Sequence, residues 1–198
     1  MAILSLLAFL GLAIADWIAV SQESRMLEYV TKPAALGALL IYAATGAHCS
    51  VALLTALVLS LLGDVFLMLP VDLFAAGLGS FLLAHVAYIA DFNVASTPRV
   101  LWWLVVVAAA SPLIRRIMRA VSPEALRPAV GVYTAVISLM VASAIASGSL
   151  LAGIGALLFF ASDGIIAWDR FVQKLSWARV AIIATYHLGQ LGLVLALR

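Results

Sequence analysis

Ser60-Leu-Leu-Gly-Asp-Val-Phe-Leu-Met-Leu-Pro70, continued by Phe74-Ala-Ala-Gly-Leu-Gly-Ser-Phe-Leu-Leu-Ala-His85-Val-Ala-Tyr88, reads as two apolar runs separated by a tight turn. Each run belongs to a segment long enough to be a membrane helix, yet the first carries a carboxylate, Asp64, and the second an imidazole, His85. A charge at the bilayer centre costs at least about 2.5–3.5 kcal/mol, so an ionisable residue there faces the protein interior and marks a functional site by default. A second stretch, Phe159-Phe-Ala-Ser-Asp163-Gly-Ile-Ile-Ala-Trp168-Asp169, has the same character. The expectation is that the rest of the chain brings Asp64 and Asp163 together.

Composition fixes the class. Of 198 residues, 66% are apolar and 10% charged, and mean hydropathy is +1.21. A soluble domain has about 45–50% apolar and about 25% charged residues. The chain therefore reads as an all-α polytopic membrane protein. Continuous apolar runs without strict alternation argue against a barrel. A net charge of +2 gives no basis for nucleic-acid binding, and one cysteine, Cys49, excludes an intramolecular disulfide and a multi-cysteine metal site. Met1–Val20 lacks a basic leading region and is interrupted near its end by Asp16, so it reads as a first span and not as a cleavable signal.

A span takes about 20 residues. On that basis 1–198 is a single integral membrane domain, a bundle of eight helices at about 2–20, 33–47, 50–69, 73–90, 100–114, 128–146, 150–168 and 180–197. Residues 21–32, 91–99, 115–127 and 169–179 are expected to be polar links. His48 falls at the break between the second and third spans, where an interfacial role is expected. Nine of the eleven Lys and Arg residues fall on one side of this layout, leaving Arg99 and Arg198 on the other. That bias predicts both termini outside the cytoplasm. It also predicts Asp16, Lys32, Asp64 and Asp163 in one layer on the cytoplasmic half, with His85, His187 and Gln190 nearer the outer face. The third and fourth spans resemble the seventh and eighth in the order of their acids and aromatics, which fits a weak four-plus-four duplication.

Each candidate residue has a packing reading beside its functional one. Asp64 and Asp163 are either a carboxylate pair for acid–base work or helix-to-helix glue, with Ser60, Ser162, Tyr186 or Lys32 as partners. Gly77, Phe81, Ala84 and Tyr88 share a narrow arc of the fourth span, where packing is the expected role. His85 is either a packing residue or one with a catalytic or ligand role. Tyr186 and Gln190 stand one turn apart, placed for intrabundle hydrogen bonds or substrate contact. Trp168 and Trp177 fit an interfacial belt. No HxxxH or HExxH spacing supports a metal site. The Gly-x-Gly-Asp signature of intramembrane aspartyl proteases is broken at Leu61.

Taken in order, Lys32-Pro33, Ser60-Leu-Leu-Gly-Asp64 with Leu69-Pro70, Phe74-x-x-Gly77…Phe81-x-x-Ala84-His85-x-x-Tyr88, Ser162-Asp163-Gly-x-x-Ala-Trp168-Asp169-x-Phe171 and Tyr186…Gln190 resemble the lysoplasmalogenase family of YhhN-like membrane proteins. The resemblance covers nearly the whole chain. It implies an eight-helix membrane hydrolase that cleaves the vinyl ether bond of a lysoplasmalogen, giving a fatty aldehyde and glycerophosphocholine or glycerophosphoethanolamine. Asp64 and Asp163 would then be catalytic, with Asp64 the proton donor and Asp163 stabilising the cation or placing water. Lys32 would hold the substrate phosphate or pair with Asp64, and His85, Tyr88, Tyr186 and Gln190 would contact substrate or water. No cofactor and no metal are implied. The expected partners are a lysophospholipid and the bilayer, with a homodimer left open. The expected location is a bacterial inner membrane, or the endoplasmic reticulum in a eukaryote. The rival readings are a small proton-coupled transporter or lipid-binding protein using the same aspartates, and a scaffold whose buried charges only stabilise packing.

Overall fold

In lipid every backbone polar group must be satisfied within the chain, which leaves the α-helix as the local solution for these apolar runs. The computed structural model describes all residues except 48 and 93. His48, expected in an interfacial turn, lies outside the described residues. Among them the chain forms eight α-helices and no strand: α1 (Ala2–Ser21), α2 (Arg25–Ala44), α3 (Val51–Met68), α4 (Phe74–Asp91), α5 (Ser96–Ala120), α6 (Arg127–Ala146), α7 (Leu150–Ala167) and α8 (Ala178–Leu197). Seven of these are long and apolar enough to cross a membrane, all but α2. The protein is an integral, multi-pass membrane protein. The helices fall into two compact units, Met1–Asp91 with Val194–Arg198, and Phe92–Leu193.

In the first unit, α2 packs against both α1 and α3, and α3 against α4. α3 starts on Ser50, whose Oγ accepts from Leu53 N at 2.9 Å, a side-chain cap. It ends before Pro70, because the residue preceding a proline is driven out of the helical region. Asp72 then starts α4, its Oδ1 accepting from Phe74 N at 3.2 Å. Glycine lets α3 and α4 close up: a Cβ on Gly63 would lie 2.6 Å from the Phe81 ring, and one on Gly77 2.6 Å from the Leu67 side chain. Gly77, Phe81, Ala84 and Tyr88 are all buried, the packing role expected of that arc.

Two helices are longer than their apolar runs. The link expected over 21–32 contracts to residues 22–24, with Glu23 turning at φ 57°. α2 begins at Arg25 and passes through Pro33, so Lys32 lies inside a helix and not at its entrance. Thr31 and Lys32 find partners on the neighbouring helices α1 and α3, so neither needs water. α5 likewise continues through Arg115, Arg116 and Arg119 to Ala120. These three arginines are exposed while Ile117 is buried, so one face of the extension stays polar.

In the second unit, α5 packs on α6 and α6 on α7. The Trp103 indole N–H donates to the Ala135 carbonyl at 3.2 Å. α7 starts on Ser149, whose Oγ accepts from Ala152 N. Gly155, Gly189 and Gly192 let the backbones of α7 and α8 meet. A Cβ on Gly155 would lie 2.7 Å from Leu193 N, and one on Gly189 2.9 Å from Phe159 N. After α7 a single π-type turn, Trp168–Val172, ends the element. Asp169 closes it, accepting from Leu175 N at 2.8 Å and from Lys174 Nζ at 2.7 Å.

Candidate functional site

Five ionisable residues of the first unit, Asp16, Arg25, Glu28, Lys32 and Asp64, sit on α2 or pair with residues on it. Lys32 Nζ lies 3.0 Å from Asp64 Oδ1, with side chains 13% and 2% exposed. One residue earlier, Thr31 Oγ1 lies 2.6 Å from Asp16 Oδ1. Asp16 has no exposed surface, and Glu28, one turn before Lys32, is nearly buried and faces Arg25 at 3.7 Å. Residues in sequence on a helix are turned by about 100°. Thr31 therefore addresses α1 while Lys32 addresses α3. An ion pair in hydrocarbon is tolerated only when both partners are held, because each charge alone is strongly penalised.

Ser60 stands one turn before Asp64 on the buried face of α3, and its Oγ has no hydrogen-bond partner. Gly63, between them, is the residue over which the Phe81 ring lies. That contact sets the spacing of α4 beside the carboxylate. His85 and Tyr88 are fully buried on the same face of α4 as Phe81.

In the second unit the Tyr133 hydroxyl of α6 donates to Asp163 Oδ2 on α7. Ser162 beside it donates to the Ile182 carbonyl of α8 at 3.1 Å. Tyr186 packs edge-on against Phe159, ring centroids 5.3 Å apart at 87°. Gln190, one turn further along α8, is fully buried. A groove of about 500 Å³ opens along the C-terminal half of α7, lined by Leu113, Phe160, Gly164, Ile165, Trp168 and Trp177 among others, and its lining is almost wholly apolar. Small-molecule sites occupy about 300–1,000 Å³.

Of the residues expected in a site, the structure joins Lys32 directly to Asp64. Asp64 belongs to the first unit and Asp163 to the second. Both are the fourteenth residue of an 18-residue helix that begins on a serine cap. The sequence reading missed Tyr133, Thr31 and the bond that Asp16 makes. Tyr133 and Thr31 are ordinary residues for their positions, and only their contacts single them out. Asp16 did carry a signal, a carboxylate inside an apolar run. Among the described residues no group of three His, Cys, Asp or Glu is placed to hold a metal ion.

The sequence profile of the YhhN family matches residues 27–197. The chain belongs to the YhhN family. This YhhN-family chain is 35% identical to lysoplasmalogenase TMEM86B of Homo sapiens over 142 residues, 71% of this chain and 61% of that protein. It is 33% identical to lysoplasmalogenase TMEM86B of Rattus norvegicus over 142 residues, covering 71% and 59%. It is 32% identical to lysoplasmalogenase TMEM86A of Homo sapiens over 151 residues, covering 71% and 62%. The chain thus spans about three fifths of the length of these curated relatives. No solved structure matches it.

Proposed function

We propose that this protein is a membrane-embedded hydrolase of lysoplasmalogens, releasing a fatty aldehyde and a glycerophosphodiester such as glycerophosphocholine or glycerophosphoethanolamine. The observation that carries this reading is the similarity of 71% of the chain to relatives named lysoplasmalogenases. The buried polar groups supply the chemistry. A vinyl ether hydrolyses when its double-bond carbon remote from oxygen takes a proton. Water captures the resulting oxocarbenium ion, and the hemiacetal collapses to aldehyde and alcohol. The steps need an acid, a negative group beside the cation and a held water, the division of labour that carboxylates perform in glycoside hydrolysis.

Asp64 and Asp163 are the carboxylates we assign to this work. Asp64 accepts from Lys32 and Asp163 from Tyr133, so both suit cation stabilisation and water placement. Asp64 serves as the donor, its expected role, only after releasing Lys32 and taking a proton from elsewhere. His85, Tyr88, Tyr186 and Gln190 line the substrate or hold water in this reading. The apolar groove along α7 takes the single hydrocarbon chain.

The test is aldehyde release from a lysoplasmalogen by the purified protein in detergent, without a gradient. Wild type should release aldehyde. Asp64→Asn and Asp163→Asn should each lower turnover by about 10²–10⁴-fold, the usual worth of a positioned acid or base. Ligand binding that depends on pH, with no product, would instead point to a transporter. Full turnover by both variants would remove the carboxylates from the mechanism.

A further inference from the structure

Asp16 is a buried titratable group that the reaction above leaves unused. It lies on α1, ahead of the stretch that matches the family, and has no exposed surface. Its Oδ1 is 2.6 Å from Thr31 Oγ1, and that hydroxyl is also 2.9 Å from the Leu27 carbonyl oxygen. A hydroxyl has one hydrogen to give, and a carbonyl can only accept. If Thr31 donates to an ionised Asp16, its contact with Leu27 holds no hydrogen. If Asp16 carries the proton, both contacts are bonds: Asp16 donates to Thr31, and Thr31 to Leu27.

A second observation agrees. Asp16 Oδ2 is buried with no hydrogen-bond partner. An unpartnered oxygen is far more costly on a carboxylate than on a neutral carboxyl group. The charged groups near enough to act on Asp16 are Lys32 and Glu28 of α2 and Asp64 of α3. The one cation among them, Lys32, stands against Asp64.

We propose that Asp16 is a neutral carboxylic acid that stores the proton of the site and acts through Asp64, not on the substrate. Lys32 follows Thr31 directly in the chain and serves as the single countercharge for whichever of the two carboxyls is ionised. The role rests on the hydrolase reading and deepens it. A proton passes from Asp16 to Asp64 and from Asp64 to the vinyl ether carbon. The water that captures the oxocarbenium ion gives a proton back to Asp64, and this returns to Asp16. Nothing is consumed but water and substrate.

The experiment compares wild type with Asp16→Asn, Asp16→Glu and Thr31→Val in detergent by melting temperature, pH–rate profile and carboxyl infrared absorption. Asp16→Asn keeps shape and an acceptor for Thr31. It should leave melting and KM near wild type, lower kcat at least about tenfold and shift the alkaline limb of the profile to lower pH. Asp16→Glu, which keeps an acid, should recover part of kcat. Wild-type kcat and pH profile in Asp16→Asn would overturn the proposal and leave Asp16 a packing residue. If Asp16→Asn does not fold, Thr31→Val carries the test: kcat should fall with KM kept, and unchanged kcat would overturn it. The infrared arm needs no substrate. A protonated-carboxyl band at neutral pH that Asp16→Asn removes, or Thr31→Val displaces, supports the stored proton; no such band overturns it. If wild type releases no aldehyde while that band is present, the hydrolase reading fails and the protonated Asp16 stands.

Discussion

Lys32 of α2 sets its ammonium 3.0 Å from the Asp64 carboxylate of α3, while its neighbour Thr31 bonds Asp16 of α1. Two residues in sequence thus tie one helix to the helices on both sides. Each tie satisfies a polar group that hydrocarbon would penalise.

The Lys32–Asp64 pair is nearly buried, and breaking a buried pair costs about 3–5 kcal/mol because a lone charge remains. Lys32→Met and Asp64→Leu should each lower the melting temperature sharply. The double variant should melt nearer to wild type than either single one. Additive losses in a double-mutant cycle would show that the two side chains are not coupled.

Tyr133→Phe removes the donor to Asp163 and nothing else of size. A hydrogen bond to a charged group is worth about 1.5–3 kcal/mol. Stability should drop by no more than that, and aldehyde release should fall in kcat with KM little changed. A variant that matches wild type in both respects would make the bond to Asp163 incidental.

Gly63 and Phe81 predict a compensating pair. Gly63→Ala would place its Cβ 2.6 Å from the Phe81 ring, and forced overpacking costs about 1–3 kcal/mol. Gly63→Ala should melt lower, and adding Phe81→Leu should recover part of the loss. Thermal melts of the three proteins decide it.

Gly189 allows no such relief, because its neighbours are backbone: Gly155 O and Phe159 N, both 2.9 Å from an added Cβ. Gly189→Leu should destabilise more than Gly63→Ala. A clear test is the yield of monodisperse protein in detergent together with its melting temperature. Equal tolerance at the two glycines would contradict the backbone contact between α7 and α8.

Much of the chain's helical layout can be read locally. The apolar runs of α3, α4 and α7 end at Ser50, Pro70, Asp72 and Ser149, and each boundary has a cap or a stop that works within a few residues. α2 and α5 were legible only in part. Arg25, Glu28, Thr31 and Lys32 look like a loop in hydrocarbon until their partners are known, and three arginines after Ile114 look like the end of α5. The candidate site divides in the same way. Asp64, Asp163 and His85 announce themselves because ionisable residues are rare in such runs. Tyr133 and Thr31 do not, since a tyrosine or threonine in a membrane helix is commonplace.

The sequence alone determined that this chain is a set of membrane helices with acids buried in them. Backbone hydrogen bonding in lipid is settled within one helix, and hydropathy is a property of consecutive residues. Only the tertiary structure decided which group each buried acid meets. Thr31 reaches Asp16 across 15 positions, Tyr133 reaches Asp163 across 30, and Lys32 reaches Asp64 from the neighbouring helix. Such pairings depend on how helix faces turn toward one another, which no local pattern encodes.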